Sequence, residues 1–327
     1  MKRLILFTIA ITVYAILSGG SFLFWHDKFQ ASLVSLDEDT ITLLFAGDIM
    51  LGRGVEFYIT QHNDWKWPFL LIADTLQKAD LVLGNLESVI SDKGQNLGSI
   101  YSFRASPKAI EGLAFAGFDV LAVANNHSLD WGVEAFIDSM ARLSQTNIAT
   151  IGGGTTKDRT HAPVVKKIKG TDIGFLGYTN LGSPLWEAGE YTPGIAWVDE
   201  GTILEFQKDI LKAKNEVDVL VVSLHFGEEY QKEPSFVQQL LSKAAVDAGA
   251  NVVVGHHPHV VQPVEQYNRG WIAYSLGNFV FDQGFSPETT QGLLLEVILQ
   301  DKKITRVFPR PIYLNSEFQP SFQNLDQ

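Results

Sequence analysis

The sequence contains no cysteine. This absence excludes disulfides, thiolate metal sites, cysteine nucleophiles and lipid attachment through a thiol. Charge is also scarce, at 19% of residues, and positive charge is the smaller share: 25 Lys and Arg against 37 Asp and Glu, for a net of −12. A chain this acidic lacks the basic surface that broad nucleic-acid binding requires, so no nucleic-acid partner is expected. The same deficit argues against simple electrostatic capture of any polyanion. A polyanionic ligand would need local features instead: a metal ion, helix N-termini or a few arginines. Internal repeats and low-complexity linkers are missing too.

Apolar residues are abundant, at 46% of 327, enough for a sizeable core in one large domain. They open the chain. Lys2 and Arg3 precede a run from Leu4 to Trp25 without Asp, Glu, Lys or Arg. About 20 helical residues cross the hydrocarbon core of a bilayer, and the basic flank would stay in the cytoplasm. The reading is a single-pass anchor over 1–26 at the cell membrane, with a polar spacer over 27–39 and the main domain extracytoplasmic. A cleaved signal peptide is the alternative, with Ser18-Gly19-Gly20-Ser21 as its small-residue site.

Beyond the spacer, apolar runs of strand length fall at 41–46, 81–83, 120–124, 173–177, 217–224, 251–254 and 271–276. They are nearly continuous, as strands buried on both faces are. Helical spacing of three and four marks 107–116, 133–144, 203–215 and 235–248. The alternation predicts an α/β fold with much parallel sheet. A late hairpin is predicted from 293–299 and 304–308, turning at Asp301-Lys302-Lys303. The domain is read as 40–314, and the polar tail 315–327 as loosely held.

Polar clusters sit just past the strand ends. AGDIMLGR supplies Asp48 and Arg53, and GNLESVIS supplies Asn85 and Glu87. NNHSLDWG supplies Asn125, Asn126, His127 and Asp130, and SLHFGEEY supplies His225 and Glu228. VVVGHHPH supplies His256, His257 and His259, and YSLGNFVFDQ supplies Asn278 and Asp282. Ligands of open α/β sheets bind outside the carboxyl ends of the strands, so these clusters converge on one site. Imidazole, carboxylate and amide donors suit divalent metals. Three histidines within four residues are hard to explain as packing. For Asn278, Asp282 and a lone His225, a structural role competes evenly or better. Arg53, Arg104 and His161 are candidates for an anionic ligand, Trp65, Trp67, Trp186 and Trp197 for a polymer groove, and Gly152-Gly153-Gly154 for a phosphate turn.

The succession Asp, GNxE, NNH, His, HxH resembles the motif order of calcineurin-like metallophosphatases. The strings AGDIMLGR, GNLE, NNHSLDWG, GHHPHVVQ and YSLGNFVFD resemble more specifically the CapA (PgsA) family of poly-γ-glutamate capsule proteins, over roughly 41–285. The resemblance implies a four-layer α/β/β/α metallophosphatase-like sandwich behind an N-terminal transmembrane helix. It implies Asp48, Glu87, Asn126, His225, His257 and His259 as ligands of one or two divalent ions (manganese, zinc or iron) and His127 as the catalytic group. Asn85, Asn125, Asp130, His256, Asn278 and Arg53 stand as additional site residues. Two departures matter: Met50 stands where the metallophosphatases carry histidine, and Asn85 where they carry a bridging aspartate.

The implied role is in synthesis or export of poly-γ-glutamate or another anionic polymer, beside membrane synthase and export subunits, with the bilayer as a further partner. A metal-dependent hydrolase of γ-glutamyl amide or phosphoester bonds and a non-catalytic partner-binding module are the alternatives.

Overall fold

The computed structural model describes residues 39–323. The predicted anchor and nearly all of the spacer lie outside the described residues, and no helix among those described is long and apolar enough to cross a membrane. The principal elements begin with β1 (Ile41–Ile49), α1 (Arg53–His62), β2 (Leu81–Leu86), α2 (Ile110–Ala116), β3 (Val120–Ala122), α3 (Gly132–Gln145) and β4 (Ala149–Ile151). They continue with β5 (Val164–Ile168), β6 (Thr171–Thr179), α4 (Ile203–Lys214), β7 (Val219–His225), α5 (Phe236–Asp247), β8 (Val252–His256), β9 (Val264–Tyr267) and β10 (Gly270–Ala273). Last come β11 (Asn278–Val280), β12 (Gln291–Gln300), β13 (Lys303–Leu314) and β14 (Pro320–Ser321).

These form a mixed α/β fold with two main sheets. One is ordered β14-β13-β12-β1-β2-β3-β4, with β11 also pairing β1; the other is β9-β10-β8-β7-β6-β5. Strands β1 to β4 run parallel, as do β6, β7, β8 and β10. Alternation along β1 explains the continuous apolar run. Leu43 and Phe45 face the other sheet, packing with Phe175, Val221 and Val254. Leu44 and Ala46 face outward onto Val55, Leu113 and Phe136 of α1, α2 and α3. On the second sheet, Leu176, Leu220 and Val253 pack outward against Phe206, Ile210 and Leu241 of α4 and α5.

β1 changes neighbours midway. Its first half pairs with β12, its end with β11, and its register shifts between Phe45 and Asp48. A Cβ at Gly47 would lie 2.0 Å from the carbonyl oxygen of Gly277, so this approach requires glycine. The irregularity re-aims Asp48, a common use of bulges beside active sites.

Three differences from the sequence reading have physical causes. Helix α1 was not predicted: no side chain of its own caps it, and Asp282, 228 positions away, accepts from the Gly54 amide at 3.0 Å. The hairpin strands run longer than predicted, but the turn is where expected, with Asp301 and Lys302 at φ 50° and 63°. Left-handed geometry at both central residues matches the strand twist. The segment after Leu314 is not loosely held through residue 323. Gln319 Nε2 donates to the Trp67 carbonyl at 2.6 Å, and β14 extends the sheet. Its polar side chains have backbone partners that composition does not reveal.

One clamp supports a testable stability claim. Asp138 on α3 is hydrogen-bonded by Ser91 at 2.7 Å and Arg142 at 2.6 Å, and lies 2.8 Å from Lys93. Burial opposes its ionisation, yet these partners pull its carboxyl down to about 2. The folded value lies below the unfolded one, so the stabilisation is present above about pH 4 and lost as pH falls through 2. Both cationic partners are partly solvated, which reduces the gain. Asp138→Asn is expected to cost about 1–2 kcal/mol at pH 7 and little at pH 2, by urea denaturation at both values.

Candidate metal centre

The parallel strands deliver the predicted clusters to one place. Asp48 lies at the end of β1, Asn85 at the end of β2 with Glu87 just beyond, His225 at the end of β7 and His256 at the end of β8, while Asn278 opens β11. Asp48, Asn85, Glu87, Asn125, His256 and Asn278 have no exposed surface; His225 and His259 are nearly as buried. The turn after β8 places His257 and His259 at φ 97° and 57°. Left-handed geometry costs a non-glycine residue about 1–3 kcal/mol and collects at functional sites. Here it brings the His257 amide to Asp48 Oδ2 at 3.1 Å.

A polar network fills the centre. Asn85 Nδ2 lies 2.8 Å from Asp48 Oδ1, 3.2 Å from Glu87 Oε2 and 3.2 Å from His225 Nδ1. His225 Nε2 meets Asn126 Oδ1 at 2.7 Å. Asn125 donates to the Leu86 carbonyl at 2.9 Å and accepts from the His127 amide at 3.1 Å. His259 Nδ1 lies 3.0 Å from Asn278 Oδ1 and 3.3 Å from Asp48 Oδ2. His256 Nδ1 is 3.3 Å from Asp48 Oδ1, although neither of its ring nitrogens makes a hydrogen bond of good geometry.

The electrostatics call for positive charge. Burial would raise the Asp48 carboxyl, but the imidazoles of His256 and His259 beside it hold it well below its usual value. Glu87 is pushed well above its usual value, first by burial and then by Asp48, Glu229 and Asp130, against the pull of His259. Burial also drives His225 far down and His257 to about 3, so both present neutral imidazoles. His259 moves the other way: burial opposes it, but Glu87 and Asp48 lift it to about 9. A bound proton there stands in for the cation that two buried carboxylates demand.

The donor set fits a divalent cation. Glu87 with His257 and His259, or Asp48 with Glu87 and His225, each offer donor atoms within 4.8 Å of one another. Glu87 Oε1 and His257 Nδ1 are buried with no hydrogen-bond partner. Such orphaned atoms are costly unless something binds them.

At the mouth, His127 Nδ1 meets Asp130 Oδ2 at 2.7 Å, and its Nε2 lies 3.9 Å from Glu87 Oε1. Asp130 also accepts from the Phe103 amide at 2.8 Å and the Ser99 hydroxyl at 3.2 Å. The Phe103 ring packs against His127 at a 30° tilt, with centroids 3.8 Å apart. Sequence reasoning missed Phe103 and Gln283, the latter accepting from Asn278 Nδ2 at 3.1 Å. Both are loop residues without a local pattern to flag them.

Other candidates lie elsewhere. Arg53 pairs with Asp282 at the rim and sits 4.8 Å over Phe103, so Asp282 is engaged away from the centre. Glu228 is exposed. Arg104 stacks on Trp131 at 3.5 Å. His161 bonds Asp209 at 2.7 Å, away from the cluster. Trp67 stacks on His62, and Trp197 donates to Asp199. Gly152 and Gly153 lie where a Cβ would strike Ala124, Gly177 and Phe136, so close packing explains them.

Comparison with known proteins places this arrangement. A family model described as bacterial capsule synthesis protein PGA_cap matches residues 42–283. The PGA biosynthesis protein CapA of Bacillus subtilis (strain 168) is 32% identical over 292 residues, covering 88% of this chain and 76% of that protein. The capsule biosynthesis protein CapA of Bacillus anthracis is 34% identical over 273 residues, covering 81% of this chain and 65% of that protein. A hypothetical protein from Thermus thermophilus shares the fold alone, with TM-score 0.52 and 15% identity over 83% of this chain and 98% of its own. On the family match and the relatives together, the chain belongs to the bacterial capsule synthesis protein family PGA_cap.

Proposed function

We propose that this chain serves poly-γ-glutamate capsule synthesis or export as a metallophosphatase-like sandwich held outside the cell membrane by its N-terminal apolar run. Its working part is a divalent cation, manganese, zinc or iron, at the strand-end centre, and its partners are the membrane synthase and export subunits. The names of the Bacillus relatives support the biological role. The observation that carries the chemistry is the pair of orphaned donors, Glu87 Oε1 and His257 Nδ1, inside a fully buried polar cluster.

When bound, such a cation supplies Lewis acidity and a nucleophile at neutral pH. The chain supplies the rest. Asp130 holds the His127 ring by Nδ1, leaving Nε2 turned toward Glu87, where it can give a proton to the leaving nitrogen of a γ-glutamyl amide. Phe103 covers the ring and limits water around it.

The test is genetic and quantitative. Deleting the gene in a polymer-producing host is expected to lower extracellular poly-γ-glutamate. The intact gene should restore it, and a Glu87→Gln gene should not. Unchanged polymer after deletion would refute the role. Restoration by the Glu87→Gln gene would refute the chemistry and leave the role standing.

A further inference from the structure

We infer that the centre takes one divalent cation rather than two, and that the amide nitrogen of Asn85 fills the second position from within. The inference rests on the cation-binding reading above and fixes its stoichiometry and ligands.

The two donor groups share Glu87 but differ in what lies between their atoms. The three contacts of Asn85 Nδ2 are Asp48 at 2.8 Å, Glu87 at 3.2 Å and His225 at 3.2 Å. These are the members of one of the two candidate groups. An N–H donor therefore sits among the atoms that would have faced a cation. Asn85 is fully buried, so a cation there would have to displace the amide.

The orientation of that amide follows from the backbone. The Leu86 carbonyl can only accept, so the group of Asn125 that meets it at 2.9 Å is the nitrogen. The His127 amide can only donate, so the group of Asn125 that meets it at 3.1 Å is the oxygen. Asn125 Nδ2 then faces Asn85 at 3.3 Å, and the atom it faces is Oδ1. Turning Asn85 over would set nitrogen against nitrogen and oxygen against two carboxylates.

The same reasoning frees the other group. The Thr289 carbonyl takes an N–H from Asn278 at 2.9 Å, so Asn278 Oδ1 faces His259 and Nδ1 carries the hydrogen. The remaining nitrogen, Nε2, lies 3.5 Å from Glu87 Oε1. Within this group, Glu87 Oε1, His257 Nδ1 and His259 Nε2 are thus the atoms left for a cation. Asp48 is engaged otherwise, with Oδ1 on Asn85 and Oδ2 on the His257 amide. It organises the centre without ligating.

Charge agrees. The fully buried carboxylates at the centre are Asp48 and Glu87, and Asp130 is committed to His127. One dication balances two carboxylates; two dications would leave a buried excess of positive charge, which is strongly disfavoured.

The experiment is calorimetric titration of the purified full-length protein with Mn²⁺ and separately Zn²⁺, with bound metal counted by mass spectrometry. One equivalent is expected for the wild type. Asn85→Asp, which replaces the inward N–H with a carboxylate, should gain a second equivalent. His225→Ala should keep one, with affinity changed less than tenfold, and His257→Ala should bind it about 10²-fold more weakly or worse. Two equivalents on the wild type would overturn the inference while preserving the metal-binding reading. A single equivalent on folded Asn85→Asp, or loss of the cation from His225→Ala, would overturn it as well. If Asn85→Asp fails to fold by circular dichroism, the His225→Ala arm decides. No binding to the wild type would sink both readings together.

Discussion

Glu87→Gln and His257→Ala are each expected to weaken cation binding by about 10²-fold or more. A structural cation gains roughly 10–16 kcal/mol from a full ligand set, so one direct donor accounts for several kcal/mol. The consequence for stability is equally direct. At a hundred times its dissociation constant, a ligand that binds only the folded state adds about 2.7 kcal/mol. In a domain of this size that corresponds to a rise of roughly 4–5 °C in the melting midpoint. Wild-type protein should show this rise on cation addition, and neither variant should.

The two variants should diverge when no cation is present. Glu87 ionises against burial and against Asp48, so the neutral amide in Glu87→Gln is expected to leave the cation-free protein as stable as wild type, or more so. His257→Ala instead removes a buried ring and should cost about 2–4 kcal/mol. Scanning calorimetry with and without cation separates these outcomes. Cation-free Glu87→Gln melting well below wild type would show that Glu87 supports the fold by itself, contrary to its orphaned oxygen.

His127→Ala should act on rate and leave the cation in place. General acid catalysis contributes typically 10²–10⁴-fold, and loss of turnover of a γ-glutamyl amide in that range is expected, with bound metal unchanged. Asp130→Asn should fall between the two, because it removes the carboxylate that orients the ring while the Phe103 contact persists. The readout is kcat alongside metal content on the same preparation. Equal turnover in wild type and His127→Ala would remove the proton-transfer role. Polymer binding without turnover in either chain would point to a binding module.

The central strands were legible because burial on both faces leaves a plain signature. The runs at 81–83, 173–177 and 251–254 all fall on strands, starting within two residues of them and ending two or three residues short, and the polar clusters past them meet where parallel geometry sends them. Residues placed by distant partners were not legible. α1 begins where it does because Asp282 reaches its first turn. Phe103 becomes part of the site through Asp130, 27 positions away. Asn85 shows the limit most clearly: the sequence marks it as an unusual amide at a bridging position, but the Leu86 carbonyl and the His127 amide, acting through Asn125, determine which end points inward. The polar tail hid its attachment for the same reason, because Gln319 finds its partner on Trp67.

The contact between Asp48 and the His257 amide joins residues 209 positions apart. Closing a loop of that length costs an unfolded chain about 5 kcal/mol in entropy, and the closure is complete only when β8 has docked beside β7. A nascent chain that has made β1 and β2 therefore holds half a centre, with two carboxylates and no imidazole opposite them. A cation held by Glu87, His257 and His259 would therefore be captured only once strands from both ends of that loop have met, and the metals available at that stage would decide which ion is held.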